Sequence, residues 1–387
     1  MEIVYHRIPM NLKSNQHFPG RVALQQRVLP SYRAPFFDLL AQSCTGGLSV
    51  FAGQALEIEN IPPAIALENA KLYPAENLHF SDPSSKFYLC WQKDIVDWLE
   101  TTDPDVLILE ANPRNISNWK VIQWMKERGR PVLGWGLGAP TLGGILAPIH
   151  GWNRRSYLLS LDGLIAYSQR GAKEYRNSGI PAEKVFVATN SVMRRPVESA
   201  PDRPSQIDNS AVVLFVGRLQ KRKRLDILLK SCAELPKQIQ PEVVVVGDGP
   251  ARKEFESLAA KIYPRKEFVG AKFGAEAKPY FEMADIFALP GTGGLAVQQA
   301  MSYALPVIVA KGDGTQDDLV RPGNGWQVVP GNQPDFNETL AKALSDIPRL
   351  REMGLESYRI VTEEINLEAM VDAFVQAMIS VEGGSVK

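Results

Sequence analysis

Short apolar runs alternate with longer amphipathic segments along nearly the whole of the 387-residue chain. Runs such as Val22–Val28 and Val106–Leu109 in the first half, and Val212–Val216 and Val243–Val246 in the second, are continuous and short. Such runs are typical of strands that are buried on both faces of a sheet. The segments between them have the length and periodicity of helices. The alternation therefore predicts an α/β fold in which helices cover both faces of parallel sheets.

In the first half the pattern predicts strands at Val22–Val28, Leu48–Ala52, Val106–Leu109, Val132–Trp135, Leu164–Tyr167 and Val185–Ala188. It predicts helices at Phe36–Gln42, Lys93–Thr101, Trp119–Arg128 and Gln169–Ser178. Ser168 stands just before the last of these helices, where a hydroxyl can cap a helix N-terminus.

In the second half the predicted strands are Val212–Val216, Val243–Val246, Glu267–Val269, Ile286–Leu289, Val307–Val309 and Trp326–Val329. The predicted helices are Arg224–Glu234, Arg252–Tyr263, Ala277–Met283, Val297–Tyr303, Phe336–Leu344 and Leu367–Val381.

Composition changes between the two halves, because residues 190–210 are rich in Pro, Ser, Arg and Asp and have no clear periodicity. We therefore expect an N-terminal domain at 1–195, a linker at 196–210 and a C-terminal domain at 211–365. A terminal helix at 366–387 could return to the first domain. Two doubly wound domains would face each other across a central cleft, and open parallel sheets bind ligands at the carboxyl ends of their strands.

The overall charge gives no indication of a polyanionic partner, because 43 Lys and Arg balance 43 Asp and Glu. We expect no nucleic-acid partner. Cys44, Cys90 and Cys232 are odd in number and far apart, which suits neither a disulfide framework nor a zinc site and favours a reducing compartment. The amino-terminal residues lack the apolar core of a secretory signal, and no apolar run approaches the length of a membrane span. A cytoplasmic protein is expected, with peripheral contact to a membrane left open.

The segment VGRLQKRKRL follows the predicted strand Val212–Val216 and precedes a predicted helix. Gly217 would let the backbone come close to a ligand, and Arg218 and Lys223 would place two cations near helix-terminal amides, a combination that suits a diphosphate. The alternative is an ordinary solvated basic helix end, which is how we interpret Lys221, Arg222 and Arg224.

The segment VVVVGDGPARKEF repeats this plan, and Pro250 is predicted at the first helical position. Neither half carries a GxGxxG fingerprint on its first strand, so the sequence gives little support to a dinucleotide cofactor. A third turn, PGTGGL, connects an apolar strand to a helix and contains Gly291, Gly293 and Gly294. Its backbone N–H groups could converge on phosphate or sugar oxygens, although the glycines could also serve only to turn the chain.

Five segments stand in order in the second half: VGRL-x3-K, GDGP, EFVG, ADIFALPGTGGLAVQQAMSYALPVI and GDGTQDDLVRPGNGW. Together they resemble the C-terminal domain of the retaining GT-B glycosyltransferases of group 1, the family-four type. The first half resembles the family more loosely. Three of its segments look like segments of bacterial members: LPSYRAPFFDLLA, VLILEANPRN and PVLGWGLG. The resemblance implies two Rossmann-like domains and a nucleotide-sugar donor, linked to UDP or GDP, with no separate cofactor and no metal.

In that family the Arg and Lys of the first segment neutralise the donor diphosphate, which implies that role for Arg218 and Lys223. The resemblance also implies donor contacts, some through the backbone, from Gly217, Val269, Gly270, Gly291, Gly293, Gly294, Leu295 and Gln299. Two family glutamates are replaced here, because Gly291 and Gln299 stand where they usually occur. Leu137 replaces a histidine often found in the WGxG turn of related sequences.

The acceptor is expected on the N-terminal domain, beyond the ends of the first and fourth strands. The candidates are Tyr32, Arg33, Glu110, Asn112 and Arg114, with Leu137 and Gly138 in the later turn. Arg33 and Arg114 could hold an anionic acceptor or could simply pair with nearby acids.

These observations together predict a glycosyltransferase that moves a sugar to a hydroxyl on a glycan, glycolipid or small molecule. A nucleotide-sugar-binding relative without turnover remains an alternative, as does a nucleotide-sugar epimerase or hydrolase of the same fold. The sequence does not define the oligomeric state.

Overall fold

The computed structural model describes residues 16–59, 61–83, 85, 87–140, 147–207, 210–291, 293–312 and 314–383. Within those ranges the chain divides into two compact units. Unit 1 comprises the described residues within Met1–Ala166, Glu174–Ala188 and Glu368–Lys387, and unit 2 comprises those within Tyr167–Lys173 and Thr189–Leu367.

Across unit 1, the described strands are β1 Val22–Val28, β2 Leu48–Gly53, β3 Lys71–Pro74, β4 Asn77–Phe80, β5 Leu89–Gln92, β6 Val106–Glu110, β7 Val132–Gly136, β8 Gly163–Ala166 and β9 Val185–Val187. The helices that accompany them are α1 Ala34–Gln42, α2 Ile95–Thr102, α3 Asn118–Lys126, α4 Ala147–Leu159 and α5 Gln169–Asn177, whose first residues belong to unit 2. Seven of the described strands form one sheet in the order β3-β2-β1-β6-β7-β8-β9, and every pairing in it is parallel.

The sheet of unit 1 is held by apolar packing on both of its faces. Phe36 of α1 lies with its ring centroid 5.5 Å from that of Trp135 on β7. Phe374 contacts both rings, at 5.0 Å and 5.1 Å between centroids. Phe374 belongs to the terminal helix of the chain, Leu367–Glu382, so this helix contributes to the core of unit 1.

The remaining two strands of unit 1, β4 and β5, pair antiparallel as a separate hairpin. The sequence pattern does not predict this hairpin, because β4 carries polar side chains at Asn77 and His79 and β5 ends on Gln92. A search for continuous apolar runs passes over strands of this kind.

Described strands of unit 2 are β10 Val212–Val216, β11 Glu242–Val246, β12 Lys266–Gly270, β13 Ile286–Leu289, β14 Val307–Ala310 and β15 Gly325–Val328. Its described helices are α6 Leu225–Glu234, α7 Arg252–Ile262, α8 Lys278–Met283, α9 Leu295–Ser302, α10 Thr315–Leu319, α11 Gln333–Leu344 and α12 Ile347–Glu363. The terminal helix of the chain, Leu367–Glu382, is α13 and belongs to unit 1 from Glu368 onward. The strands form a parallel sheet in the order β12-β11-β10-β13-β14-β15, the order of a nucleotide-binding doubly wound domain.

The predicted fold class of doubly wound parallel sheets is confirmed, and the predicted strands agree with the structure to within one or two residues. The predicted cap is also present, because Ser168 Oγ accepts a hydrogen bond from Gly171 N at 3.0 Å. The placement of Pro250 at the first helical position is wrong. Helix α7 begins at Arg252, with Ala251 as its N-cap residue, and Pro250 lies in the preceding turn. Among the described residues, no helix has the length and apolarity needed to span a bilayer.

In each sheet, strand order reverses beside the first strand. In unit 1 this switch point lies between β1 and β6, and in unit 2 between β10 and β13. Doubly wound sheets bind ligands outside the carboxyl ends of the strands at such points.

Candidate active site

Two loops flank the switch point of unit 2. The first, residues Gly217–Lys223, follows β10 and is called the cationic turn. The second, Pro290, Gly291, Gly293 and Gly294, follows β13 and is called the glycine loop; Thr292 lies outside the described residues. Because β10 and β13 pair in parallel, both loops leave the same edge of the sheet.

The two loops are packed backbone against backbone at Gly291. A Cβ added to Gly291 would lie 2.3 Å from both the carbonyl oxygen of Arg222 and the carbonyl carbon of Lys223, and 2.4 Å from Lys223 Cα. Contacts this short cannot exist, and main-chain atoms cannot rotate away as a side chain could. Position 291 therefore has to be glycine for the cationic turn to take its present place.

Lys223 extends over the glycine loop. Its Nζ lies 2.9 Å from the position that a Cβ on Gly293 would occupy, and Gly293 has the positive φ of +86° that favours glycine. Burial, with a further contribution from the neighbouring Arg222, lowers the pKa of Lys223 to about 8. A lysine that is largely buried against a glycine-rich turn is suited to bind an anion, because a nearby negative charge favours the protonated ammonium.

The other cations of the turn differ in their positions. Arg222, interpreted from sequence as part of a solvated helix end, has Nη1 3.5 Å from the Cβ position of Gly293. Lys221 pairs with Glu254 at 3.1 Å, and Arg224 pairs with Asp226 at 3.0 Å. Arg218 is exposed at the end of β10. The structure thus brings Lys223 and Arg222 to the glycine loop.

The remaining donor-side candidates lie on the same edge of the sheet. Gly217 N donates to Val246 O at 3.0 Å, and Gly247 N donates to Gly270 O at 2.7 Å, so the ends of β10, β11 and β12 are joined in series. Val269 and Gly270 are half-buried there.

Two adjacent glutamines on α9 have different roles. Gln298 is buried, accepts from Val192 N at 2.9 Å and donates to Ser191 Oγ and Ile365 O, so it holds the chain around it in place. Gln299 is half-buried. Gly294 caps the helix, and Leu295, its first residue, is exposed. The choice of Gln299 rather than Gln298 for ligand contact is consistent with these positions.

One charged group at this edge escaped the sequence analysis. Asp318 of α10 accepts a hydrogen bond from Gln169 N at 2.9 Å, and burial raises its pKa to about 6. Beside it, Arg170 donates to Gly312 O at 3.2 Å.

The acceptor-side candidates of unit 1 lie beyond β1, β6 and β7, and they are not all accessible. The side chain of Arg33 is buried in this structure. Arg33 is 7% exposed, because its guanidinium stacks on the ring of Trp135 at 5.3 Å. Tyr32 is exposed, and Leu137 and Gly138 are at the end of β7, with Leu137 exposed.

Glu110, Asn112 and Arg114 form one turn after β6. Glu110 accepts from Arg27 N at 2.8 Å and from Asn115 Nδ2 at 2.7 Å, and burial raises the pKa of its carboxyl. Asn112 Oδ1 accepts from Arg114 N at 3.2 Å, so it shapes the turn. Arg114 has an exposed side chain. Of these candidates Arg114 is therefore the most accessible.

Comparison with solved structures identifies the class of fold. The lipopolysaccharide outer core galactosyltransferase WaaB superimposes with a TM-score of 0.67 at 18% identity, over 93% of this chain and 99% of that one. HepE from Anabaena, solved with UDP, gives a TM-score of 0.64 at 18% identity and the same coverage. A sucrose-phosphate synthase from Thermosynechococcus elongatus gives 0.66 at 17% identity. The fold is that of the GT-B glycosyltransferases.

Sequence comparison gives a family match for the second half of the chain. Residues 198–359, which contain the cationic turn and the glycine loop, match the family model described as glycosyl transferases group 1. The sulfoquinovosyl transferase SQD2 of Arabidopsis thaliana is 29% identical over 53% of this chain and 40% of its own length. The alpha-D-kanosaminyltransferase of Streptomyces kanamyceticus is 23% identical over 54% of this chain and 58% of its own length. The chain thus spans about half the length of these curated relatives.

Proposed function

We propose that the protein is a glycosyltransferase that transfers a sugar from a nucleotide-sugar donor to a hydroxyl acceptor. The observation that carries this proposal is the convergence of Lys223 and Arg222 on the glycine loop at the switch point of unit 2. The family match of the same residues and the GT-B neighbours, among them HepE in complex with UDP-glucose, support it.

The chemistry follows from where charge develops. When the bond between the sugar and the diphosphate breaks, the leaving nucleoside diphosphate gains negative charge. Lys223, Arg222 and Arg218 would stabilise that charge, and the backbone N–H groups of the glycine loop would bind phosphate or sugar oxygens. Interactions that strengthen as the charge appears accelerate the reaction rather than merely hold the donor.

The finer features of the reaction are part of the same proposal. We propose a UDP- or GDP-linked hexose as donor, retention of configuration as in the family-four type, and a leaving phosphate that accepts the proton of the attacking hydroxyl. Fixed cations would supply the positive charge that a divalent metal supplies in many phosphate sites, so turnover is expected to continue in chelator.

The first test concerns donor binding. Calorimetric titration with UDP, GDP and UDP-glucose is expected to give saturable binding for at least one of them. Lys223→Ala and Arg218→Ala should each weaken that binding about ten- to a hundredfold, because a charge-assisted hydrogen bond contributes about 1.5–3 kcal/mol. Lys221→Ala, which removes a cation paired with Glu254, is the matched control and should change the affinity less than threefold. Unchanged affinity in both test variants would contradict the assignment.

The second test concerns turnover. A panel of UDP- and GDP-sugars is incubated with and without a cell extract as a source of acceptors, and release of nucleoside diphosphate is measured. Acceptor-dependent release indicates a transferase, and release without acceptor indicates a hydrolase. Repeating the assay in EDTA tests metal independence, and NMR of the anomeric proton in the product tests retention.

A second candidate function is nucleotide-sugar binding without turnover. The observation that favours it is Gly291, since no side chain fits at a position where the family usually carries a glutamate. Saturable donor binding without release of nucleoside diphosphate from any donor would favour this candidate over the transferase.

A further inference from the structure

The hairpin β4–β5 lies at the switch point of unit 1, where the sequence analysis placed acceptor candidates but no hairpin. Its strand β5 is hydrogen-bonded to the turn after β6, because Cys90 N donates to Arg114 O at 2.8 Å and Ile116 N donates to Cys90 O at 2.9 Å. His79 pairs with Cys90 across the hairpin. His79 is therefore joined by one strand pair to the turn that carries Asn112 and Arg114.

Side chains on the inner face of the hairpin are polar and bonded to the end of β1. Gln92 Nε2 donates to Gln26 O at 3.1 Å and to Asn77 Oδ1 at 2.9 Å, while Asn77 Nδ2 donates to Arg27 O at 2.7 Å. Gln25 Nε2 donates in turn to Gln92 Oε1. Burying so many amides is costly unless each has a partner, and a fully bonded network holds its members in one arrangement. The hairpin is thus fixed in position rather than loosely attached.

Arg27, Glu59 and Glu110, the charged residues that touch this network, all have partners. The Arg27 guanidinium donates to both carboxylate oxygens of Glu59, at 3.0 Å to Oε2 and 2.5 Å to Oε1. Glu110 accepts from Arg27 N and from Asn115, as described above. Arg27 therefore has no uncompensated charge to offer a phosphate, and the immediate surroundings favour an uncharged ligand.

His79 is the member of this cluster that has an open bonding position. Its Nδ1 lies 2.8 Å from the hydroxyl of Tyr88, and burial raises the pKa of that phenol to about 12, so the phenol stays protonated. Burial, assisted by the charge of Arg27, lowers the pKa of His79, so the ring is neutral at neutral pH. Within the part of the chain that the structure describes, Nε2 has no hydrogen-bond partner. A half-buried neutral imidazole, oriented by Tyr88, presents a single polar atom outward.

We propose that His79 Nε2 forms a hydrogen bond with a hydroxyl of a neutral, polyol-type acceptor bound at the switch point of unit 1. The proposal rests on the proposed function for its description of the ligand as an acceptor. It adds the class of acceptor, an uncharged sugar or polyol rather than a phosphate-bearing one, and a binding residue outside every segment that carried the family resemblance. The charges of Arg27 and Glu59 act on His79, Tyr88 is hydrogen-bonded to it, and Cys90 lies opposite it in the hairpin.

A structural role for the pair predicts a different result. If His79 and Tyr88 only attached the hairpin to the sheet, their replacement would lower the melting temperature and leave ligand affinity alone. The test therefore measures ligand binding at His79 directly, on the whole chain, and does not depend on knowing the natural acceptor.

The experiment uses protein labelled with 15N-histidine, and the ring resonances of His79 are assigned by their loss in His79→Gln. Methyl α-glucoside and glycerol are the neutral probes, and glucose 6-phosphate and glycerol 3-phosphate are their charged counterparts. A neutral probe is expected to shift the Nε2 resonance saturably at millimolar concentration, and its charged counterpart should bind at least threefold more weakly. Tyr88→Phe should keep the ring but weaken binding about three- to tenfold, because Nδ1 loses the group that orients it.

Two controls separate this site from its alternatives. His17 is exposed near the opposite, amino-terminal edge of the same sheet, where Phe18 bridges to Cys44, so His17→Gln should leave the probe titration unchanged. UDP affinity should change less than twofold in His79→Gln and Tyr88→Phe. Tighter binding of the phosphates, or no shift of His79 with either neutral probe, would overturn the proposal. Failure of the wild type to bind any nucleotide would instead overturn the proposed function, with the His79 titration still readable.

Discussion

The two switch points of this protein differ in the kind of contact that shapes them. At the switch point of unit 2, main chain packs on main chain, and the functional groups are cations and backbone N–H groups around glycines. At the switch point of unit 1, a hairpin of polar side chains packs on the end of β1, and the charged side chains of Arg27 and Glu59 beside it pair with each other. The first arrangement suits a diphosphate, and the second suits a neutral hydroxyl compound.

This difference illustrates how two sheets of the same strand order can present different chemical groups to a ligand. Strand order fixes where a ligand can bind in each sheet, and the loops alone decide its charge. A site made by backbone contact depends on the absence of side chains at a few positions. A site made by side-chain hydrogen bonds depends on every partner being present.

The largest effect is expected from placing a side chain at Gly291. Gly291→Glu supplies the residue that the family usually has, yet we expect it to displace the cationic turn and destabilise unit 2. A Cβ there meets main-chain atoms of Arg222 and Lys223 at 2.3 Å, and overpacking of this severity costs about 3 kcal/mol or more. Thermal unfolding and UDP titration should show a melting temperature lower by several degrees and at least tenfold weaker binding.

The control for this substitution is Gly151→Ala. A Cβ at Gly151 of helix α4 meets nothing within 4 Å, and alanine is favoured over glycine in a helix by about 1 kcal/mol. This variant should be as stable as the wild type or slightly more stable. If Gly291→Glu bound UDP as well as the wild type, the backbone packing that distinguishes unit 2 from unit 1 would have no functional meaning.

The second effect tests the side-chain site of unit 1. Gln92→Leu removes the acceptor of Gln25 and the donor to Gln26 and Asn77, so several buried polar groups lose their partners together. Each unpaired group costs about 1–3 kcal/mol, part of which local rearrangement recovers, so about 2–4 kcal/mol in total is expected. Chemical denaturation measures this loss, and the exposed Gln376→Leu on α13 is the matched control with a change below about 0.5 kcal/mol. If both variants lowered the free energy of unfolding by the same small amount, the polar network would not be what fixes the hairpin in position.

The same contrast explains which parts of the protein the sequence reveals. Continuous apolar runs predicted the six strands of the unit 2 sheet and six of the seven strands of the unit 1 sheet to within one or two residues, because burial on both faces leaves a strong local pattern. The edge strand β3 was missed, since its residues are exposed or half-buried. The glycine loop was visible for a similar reason, since close backbone approach requires glycine at Gly291 itself. The partner in that approach, the backbone of Arg222 and Lys223, lies about seventy residues away and could not be predicted.

The cluster around His79 left no comparable signal. Its members Arg27, Glu59, Tyr88 and Gln92 come from separate segments, and each resembles an ordinary polar residue when considered alone. Arg33 shows the converse problem. Its position at a strand end suggested a ligand contact, but the stacking on Trp135 arises from the fold of the whole unit and buries it. Helix α12, although amphipathic and capped by Asp346, was also missed.

The third effect sharpens the role of charge in unit 2. Since the pKa of Lys223 is lowered to about 8, raising the pH from 7 to 9 should remove its charge in the free protein. Bound diphosphate favours the charged form, so binding above pH 8 takes up a proton, and UDP affinity should fall by up to about tenfold per pH unit. Calorimetry in buffers of different ionisation enthalpy measures the proton directly. In Lys223→Arg the guanidinium stays charged, so its affinity should be nearly independent of pH over this range.

The smallest effect compares one buried carboxyl in each unit. Asp318 accepts a single main-chain hydrogen bond, and burial raises its pKa to about 6, above the ordinary value near 3.9. A raised carboxyl pKa means that the folded state binds the proton more tightly than the unfolded state, so the cost of the charge is greatest above pH 6 and disappears as the pH falls toward 4.

Asp318→Asn keeps an acceptor for Gln169 N and removes the charge, so it should stabilise the protein by about 1 kcal/mol at pH 7.5 and by about a third of that at pH 4.5. Glu110 in unit 1 accepts two hydrogen bonds, from Arg27 N and Asn115 Nδ2, and an amide in its place would set one donor against another. Glu110→Gln should therefore destabilise at pH 7.5, the opposite sign. Thermal unfolding of both variants at the two pH values decides the matter. A gain from Glu110→Gln would mean that the polar network of unit 1 is no better satisfied than the isolated carboxyl of unit 2.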